Sequence, residues 1–371
     1  MAYRTSGRIP LVLKFLLLGS DYCHRKGGLR SSPLFQFLRT FYSDRELCTL
    51  QQQQLDPRRP ISTEILLIET PSSLSQEELR GIRYQTAIVF DESDSWWLNE
   101  NEEQQKFLSS LTDFAVKSHV DRTCQYRFRM GTLPLYRKKK LQQCLKYKAW
   151  RDALLGKHTK RDTDLFFVGA PTRLQRVLNG PSQDYNQRLE WLSQVMTESF
   201  PYRFVGGLEC TNQELIKKFE NDDGDLSPYI VTQRYNFYSY FRQLCCSKIA
   251  LVPTGFSRWT YRHYEAAYAK SVMLSTDMSN IELFVPLPPH LINVPDHAPL
   301  LPFVEQGLKL YHDHPELLES NIQFLEQYYE QGRFSKRRPK ALERFLHQLE
   351  PGFDSSLANS QPSPEQHQKA S

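Results

Sequence analysis

The sequence predicts an α/β protein with two parallel-sheet domains, and three observations support this. Short apolar runs alternate with stretches of helical periodicity, which is typical of parallel strands connected by helices. At 371 residues the chain is long for one small domain and comfortable for two. Its 40% apolar and 12% aromatic content can form substantial cores. We therefore expect a ligand in the cleft between the domains, at the carboxyl ends of the strands.

The elements follow in order along the chain. Apolar runs predict strands at 12–18, 64–69, 86–90, 115–119, 164–169, 202–206, 249–253 and 272–276. Amphipathic stretches predict helices at 33–42, 103–113, 136–157, 187–199, 212–221, 236–247, 260–270, 303–313, 315–330 and 339–349. These elements divide the chain into domains at 1–160 and 161–300, C-terminal helices at 301–350 and a disordered tail at 351–371.

Charge and cysteine usage exclude several classes of protein. The net charge is +5, and it is spread along the chain, which favours an anionic small ligand or an acidic glycan over nucleic acid. The seven cysteines include no Cys-x-x-Cys pair, so we expect free thiols in a reducing compartment. The apolar stretch 9–19 is too short to span a membrane. We therefore predict a cytoplasmic protein, with contact to the membrane surface as a second option because 137–140 is basic.

The segment 247–277 reads as an apolar strand, a glycine-bearing loop, a helix and a second apolar strand. Gly255 would let the backbone approach a ligand, and Ser257 offers a hydroxyl. Arg262 and Glu265 lie three residues apart, so they share one face of the helix. A cationic loop that leads into a helix suits phosphate, and the carboxylate suits a sugar diol. The alternative is a surface ion pair, with Ser257 or Thr260 as an ordinary helix cap.

This segment resembles the donor-site segment of exostosin-like glycosyltransferases. The matching residues are Ser247, Lys248, Leu251, Pro253, Gly255, Phe256, Ser257, Arg262, Glu265, Ala266 and Asp277. A looser match extends back to 164–169, followed by Arg173 and Arg176. Where the family has an Ala-Gly pair before the last strand, this chain has Ala269-Lys270.

The resemblance implies a GT-B fold, in which two Rossmann-like domains face a central cleft and the second domain holds a nucleotide sugar. Glu265 would then bind the ribose or sugar hydroxyls, while Arg262, Ser257 and the Gly255 backbone would face the diphosphate. The remaining donor-site candidates that the match provides are Phe256, Gly169 and Arg173.

The first domain offers three candidates for the base that would deprotonate an acceptor hydroxyl. Asp91 and Asp94 directly follow a predicted strand, and His119 lies at the end of another. Side chains at such strand ends face the cleft. The alternatives are a solvated acidic loop for the two aspartates and a structural role for the histidine.

We predict no metal and no cofactor beyond the nucleotide sugar itself. The triplet at 223–225 copies the Asp-x-Asp metal motif, but it follows a predicted helix and reads as a turn. Arginine and helix-dipole charge would stabilise the leaving group instead. The predicted function is sugar transfer from a nucleoside-diphosphate sugar to a glycan or other hydroxyl acceptor. The alternatives are a non-catalytic glycan-binding or scaffold relative and an unrelated nucleotide- or nucleic-acid-binding α/β protein.

Overall fold

The structure, a computed structural model, confirms the α/β class with two parallel sheets. It describes residues 12–19, 28–51, 55–56, 58–70, 75–92, 102–133, 146, 149, 161–171, 186–210, 217, 225–231, 234–255, 257–329 and 340–350.

The first half of the chain forms a six-stranded parallel sheet of order β2-β1-β3-β4-β5-β7. Its strands are β1 (Leu13–Gly19), β2 (Leu47–Gln51), β3 (Ile61–Glu69), β4 (Ile82–Asp91), β5 (Phe114–Lys117) and β7 (Arg129–Thr132). Helices α1 (Pro33–Leu38), α2 (Gln76–Leu79) and α3 (Glu102–Leu111) lie between them in sequence. Alternate residues of β1 enter different cores, Phe15 and Leu17 on one face and Leu16 and Leu18 on the other. Burial on both faces explains the continuous apolar runs.

The second half forms a five-stranded parallel sheet of order β13-β11-β10-β8-β9. Its strands are β8 (Thr163–Gly169), β9 (Phe204–Leu208), β10 (Ser247–Val252), β11 (Val272–Thr276) and β13 (Leu291–Val294). Its helices are α4 (Gln187–Val195), α5 (Phe237–Cys245) and α6 (Arg262–Tyr268). Phe166 and Val168 of β8 join the core that contains Phe15 and Leu17 of the first sheet, so one apolar cluster runs through both halves.

Two further features join the halves. The short strands β6 (His119–Asp121) and β12 (Ile281–Leu283) pair as an antiparallel ribbon. The last three helices are α7 (Leu301–Asp313), α8 (Pro315–Tyr329) and α9 (Lys340–Gln348). Phe345 of α9 packs against both Phe37 and Phe284, with centroids 6.0 and 6.4 Å away. The amide oxygen of Gln348 accepts a hydrogen bond of 2.9 Å from the backbone N–H of Thr132. The C-terminal helix therefore packs back on the first half.

The turn from α6 to β11 contains the residue at which this chain departs from the exostosin-like pattern. Lys270 has φ of 56°, in the left-handed region. Its N–H donates to the carbonyl of Ala267 at 3.0 Å, and that of Ser271 donates to Ala266 at 3.1 Å. These two bonds are the Schellman motif, which glycine favours because it lacks Cβ. The tight turn thus forms with lysine in the glycine position.

All eight predicted strands are present, and their ends differ by a few residues. Several helices are shorter than predicted: the helix expected at 33–42 is Pro33–Leu38, and the one expected at 260–270 is Arg262–Tyr268. The strands β2, β7, β12 and β13 were not predicted, and the run at 115–119 divides into β5 and β6. None of the five described cysteines forms a disulfide. The tail 351–371 and nearly all of 136–157 and 212–221 lie outside the described residues.

Candidate functional site

Side chains at the start of α4 hold together the carboxyl end of the second sheet. Asn186 caps this helix, its side chain accepting from the N–H of Leu189 at 3.2 Å. The fully buried Gln187 accepts from the backbone N–H of Thr254 at 2.9 Å. Arg188 donates from Nε to the carbonyl of Thr254 at 2.7 Å and from Nη1 to the carbonyl of Ala170. The start of α4 therefore fixes the chain after β8 relative to the loop after β10.

That loop has a compact internal structure. The N–H of Gly255 donates to the carbonyl of Ser257 at 2.8 Å. The Ser257 hydroxyl, 2% exposed, donates to the carbonyl of Trp259 at 3.1 Å. The backbone N–H of Gly255 is therefore occupied within the loop. Ser257 keeps its oxygen lone pairs as acceptors, so neither group offers a ready hydrogen-bond donor to a diphosphate in this conformation.

Arg262 lies across the end of β8. Its Nη2 donates to the carbonyl of Val168 at 2.7 Å, and its guanidinium lies 4.9 Å from the ring centroid of Phe167. A Cβ built on Gly169 would lie only 3.0 Å from the same Nη2. Glycine at this position is what lets the guanidinium approach the strand end. The structure thus brings together two residues, Gly169 and Arg262, that are far apart in sequence.

Glu265 is one turn further along α6, and only 4% of it is exposed. The hydroxyl of Tyr240, on α5, lies beside both Glu265 and Arg262. Burial, reinforced by the nearby Glu265 carboxylate, raises the pKa of Tyr240, so the phenol stays protonated. The buried Glu265 carboxylate, the half-buried Arg262 guanidinium and the half-buried Tyr240 phenol therefore form one cluster, hereafter the Arg262 cluster.

The alternative interpretation of this segment is wrong on both points. Glu265 is buried, so it takes no part in a surface ion pair. Helix α6 has no side-chain cap, because Tyr261 occupies the capping position and the hydroxyls of Ser257 and Thr260 do not bond to the first turn. The helix also has only seven residues, so its dipole is weak, and the positive charge that the described residues place at this strand end comes from the side chains of Arg262 and Arg188.

Unpaired polar atoms concentrate around this loop. Within the described chain, the following buried atoms have no hydrogen-bond partner: Gln187 Nε2, Thr254 Oγ1, Trp259 Nε1, Thr260 Oγ1, and Nε and Nη1 of Arg262. Buried polar groups in native proteins are nearly always paired, and an unpaired one costs about 1–3 kcal/mol. Nε and Nη1 of the half-buried Arg262 side chain therefore lack an acceptor within the described chain, and an anion bound there would supply one.

Arg258, four residues before Arg262, is bound differently. It donates to Asp296 from both terminal nitrogens, one at 2.8 Å, and to the hydroxyl of Thr276 at 3.1 Å. These bonds to Asp296 raise the pKa of Arg258. Arg258 therefore fixes the loop to the ends of β11 and β13. Arg262, in contrast, has two N–H groups without a partner in the described chain.

On the first sheet, Asp91 lies where it was predicted, at the carboxyl end of β4. Its carboxylate is bonded at 2.7 Å to Nζ of Lys117, and both side chains are almost completely buried. Because this carboxylate is buried and bonded to the lysine, it does not face an open cleft. The ion pair gives Asp91 a structural role in joining the ends of β4 and β5.

His119 contacts the loop of the second sheet. It is fully buried, its Nδ1 lies 2.9 Å from the Ser118 hydroxyl, and its ring stacks on Trp259 with centroids 5.9 Å apart. Burial and the nearby Lys117 ammonium hold the pKa of His119 well below its usual range. The imidazole is therefore neutral, and its Nε2 has no hydrogen-bond partner in the described part of the chain.

Three predicted site residues, Asp94, Arg173 and Phe256, lie outside the described residues. Of the rest, the structure brings Gly169, Arg262 and Glu265 together with the loop that holds Gly255 and Ser257. The sequence reasoning missed Gln187, Arg188, Lys117 and Tyr240. None of these belongs to a motif, and only the fold places them beside the site.

Comparisons with known proteins add little about activity. No family model matches the sequence, and a search of curated proteins finds no match. Among solved structures, the N-terminal domain of trehalose-6-phosphate phosphatase from Candida albicans is 10% identical, with TM-score 0.45 over 93% of this chain and 98% of that one. A glycosyltransferase from Rickettsia africae is 9% identical, with TM-score 0.42 over 86% and 98%. The pneumococcal O-GlcNAc transferase GtfA, in complex with UDP and GlcNAc, is 11% identical, with TM-score 0.32 over 72% and 56%.

Similarity at this level carries no information on activity, so function must be inferred from this chain's own residues. Among the described residues, no group of three or more histidine, cysteine, aspartate or glutamate side chains is placed to hold a metal ion. No helix in the described ranges is long and apolar enough to cross a membrane.

Proposed function

We propose that the Arg262 cluster binds the nucleoside diphosphate of a nucleotide sugar and that the protein is a glycosyltransferase. The observation that carries this proposal is the half-buried Arg262 side chain, whose buried Nε and Nη1 have no hydrogen-bond partner in the described chain. It lies at the carboxyl end of a parallel strand, where such folds bind ligands. A guanidinium with spare donors suits phosphate oxygens.

Glu265 supplies the complementary function. A buried carboxylate is an acceptor for hydroxyl groups, so it would hold the ribose or sugar hydroxyls while Arg262 faces the diphosphate. Gly169 keeps the strand end open to Arg262. The carboxylate and the guanidinium share one helix face, so one ligand would contact both. Arg173 and Phe256 remain further candidates on the donor side.

In the transfer step, a base accepts the proton of the acceptor hydroxyl, and the acceptor oxygen forms a bond to the anomeric carbon. The bond from that carbon to the phosphate oxygen breaks, and its electron pair leaves with the diphosphate. Arg262 would stabilise the charge that develops there. Of the described candidates we favour His119 as the base, since its Nε2 has no partner in the described chain. Asp94 remains an alternative, and we expect no metal.

A non-catalytic role is the second candidate, and one observation favours it. His119 is fully buried beneath Trp259, and Asp91 is committed to Lys117. Neither described base candidate is accessible to an acceptor in this conformation. Catalysis would therefore require Trp259 to move away from His119, whereas a binding protein would not need this movement.

The test is a calorimetric titration of the full chain with UDP, GDP, ADP and CMP, compared with Glu265→Gln. We expect one nucleotide to bind and Glu265→Gln to weaken it at least tenfold, because the variant loses the charged acceptor for ribose hydroxyls. No binding of any nucleotide, or equal affinity in the variant, would show that the site assignment is wrong. Release of sugar from the matching nucleotide sugar then separates the enzyme from the non-catalytic relative.

A further inference from the structure

The second half of the chain contains a separate groove at the opposite end of its sheet. The groove has a volume of about 760 Å³ and runs along the exposed side of α5, beside the start of β8 and the segment that leads into β9. This volume is in the range of small-molecule sites. Thr163 lines the groove at the first residue of β8, whereas Gly169 of the Arg262 cluster is the last residue of that strand. The groove is therefore a different site.

Its lining carries an excess of positive charge. Three cations line it, Lys146, Arg203 and Arg242, against a single carboxylate, Asp162. Arg203 pairs with Asp162 at 3.5 Å, and both side chains are mostly exposed. Such a pair is weak and readily exchanged for a better anion. Within the described chain, the guanidinium of Arg242 makes no hydrogen bond and no ion pair, so nothing there compensates its charge.

Other acidic groups near the groove are already engaged. Asp164 bonds to Nζ of Lys248 at 2.6 Å. Partial burial opposes ionisation of Asp164, but the hydrogen bonds from Lys248 and from the Arg203 backbone outweigh it and lower the pKa. Glu209 accepts from the backbone N–H of Tyr235 at 3.2 Å. Asp164 is thus balanced by Lys248, whereas Glu209 keeps its negative charge. The three cations of the groove still outnumber Asp162 and Glu209, so a smaller positive excess remains.

Two tyrosine rings lie beside these cations in the groove. Tyr235 and Tyr238 both line the groove, and Tyr238 is 47% exposed, which makes it one of the few large exposed hydrophobic side chains described. Tyr238 and Arg242 are four residues apart on α5, so they share one face of the helix. Helix α5 thus presents a ring and a guanidinium side by side, while its Tyr240 faces the Arg262 cluster.

We propose that this groove binds a phosphomonoester, with Arg203 and Arg242 on the phosphate and the tyrosine rings on the organic part. Arginine is the side chain best suited to bind phosphate through paired N–H groups. Tyrosine offers a flat apolar surface and a hydroxyl to an aromatic or sugar ring. Purely electrostatic attraction would not require the rings, and a purely apolar site would not require the arginines.

The experiment titrates the full chain with phenyl phosphate, glucose 6-phosphate and inorganic phosphate at one ionic strength. We expect saturable binding of at least one ester, weakened about tenfold by Arg242→Gln and by Arg203→Gln. Arg83→Gln, which removes an exposed arginine far from the groove in sequence, is the matched control and should leave binding unchanged. Tyr238→Ala should weaken binding of the ester but leave binding of inorganic phosphate unchanged. Which ester binds more tightly shows whether the rings hold an aromatic or a sugar group.

Three results would overturn the proposal. These are the absence of saturable ester binding, equal affinity for inorganic phosphate and both esters, and ester affinity unchanged in both arginine variants. The Glu265→Gln and Arg262→Gln variants keep this test independent of the nucleotide site. If the ester still binds to the Glu265→Gln and Arg262→Gln variants, the groove is supported. If these two variants lose ester binding and the Arg203→Gln and Arg242→Gln variants keep it, the anion binds at the Arg262 cluster instead.

Discussion

The imidazole of His119 and the indole of Trp259 stack nearly parallel, with ring centroids 5.9 Å apart and planes inclined by 24°. His119 begins β6, beside the first sheet, and Trp259 belongs to the loop after β10 of the second. Both side chains are buried. The loop that leads to Arg262 is therefore packed against a strand of the other half, and the loops at the carboxyl ends of the two sheets meet.

Buried histidines make stability fall in acid. Burial lowers the pKa of His263 to about 4, and its ring nitrogens bond to Thr260 and Ser275. Between pH 6.5 and 4 the unfolded chain binds a proton at this residue that the native state does not. The free energy of unfolding should therefore drop as pH falls through this window, by on the order of 3 kcal/mol from His263 alone. His119 adds a change of the same sign.

Urea denaturation between pH 7 and 4 measures this change. His263→Asn keeps a hydrogen-bonding side chain without the titration, so the drop should be smaller in the variant. An equal drop in both proteins would contradict the assignment.

Arg262 and Arg258 should differ in their effect on nucleotide binding. Arg262→Gln should abolish nucleotide binding, and loss of the hydrogen bond from Nη2 to the Val168 carbonyl should also lower the free energy of unfolding by about 1 kcal/mol. Arg258→Gln loses the pair with Asp296 and should destabilise by about 1 kcal/mol, with nucleotide affinity retained. Calorimetry and urea denaturation on both variants provide the comparison. An equal loss of affinity in Arg258→Gln would place the anion elsewhere in the loop.

The buried ion pair with Lys117 should determine how substitutions of Asp91 change the free energy of unfolding. Asp91→Asn leaves the buried ammonium of Lys117 without its anion, so we expect a loss of about 3–5 kcal/mol in unfolding free energy. The double variant Asp91→Leu with Lys117→Met should recover most of this loss, because two apolar side chains leave no charge to solvate. An Asp91→Asn protein of unchanged stability without transferase activity would restore Asp91 as a catalytic residue.

Glycine in place of Lys270, whose backbone is in the left-handed region, should stabilise the protein. Lys270→Gly relieves the strain of a Cβ at φ of 56° and should raise the unfolding free energy by about 0.5–1 kcal/mol. The gain is reduced by loss of the partly exposed ion pair with Glu319. Lys270→Ala, which loses the same pair and keeps Cβ, is the matched control and should be less stable than the wild type. Equal stability of the two variants would contradict the strain argument.

The sequence predicted the buried strands well because their signal is local. Strands such as β8 and β11 are continuous apolar runs, and nothing else in their neighbourhood competes for that pattern. Strand β2 was missed because only Leu47 in it is buried, as expected for an edge strand that depends on pairing with β1. The three-residue strands β6 and β12 exist only as partners of each other, and no periodicity can be read from three residues.

The site was predictable where residues lie on one helix. The spacing of Arg262 and Glu265 gave their shared face, whereas their burial depends on β8 and α5, which are distant in sequence. Gln187 and Arg188 lie more than 60 residues before Thr254 and carry no motif, so their contacts could not be read from the sequence. Asp91 looked accessible at a strand end, because nothing local indicated that Lys117 would neutralise it.

The hydrogen bond from Thr132 to Gln348 spans 216 positions of the chain. During synthesis the edge of the first sheet therefore leaves the ribosome long before α9, which supplies Phe345 to the aromatic contacts of Phe37 and Phe284. At about 5–20 residues per second the delay is roughly 10–40 seconds. Over that interval the nascent first half would expose an apolar surface, and chaperones are the natural means to cover it until the last helix arrives.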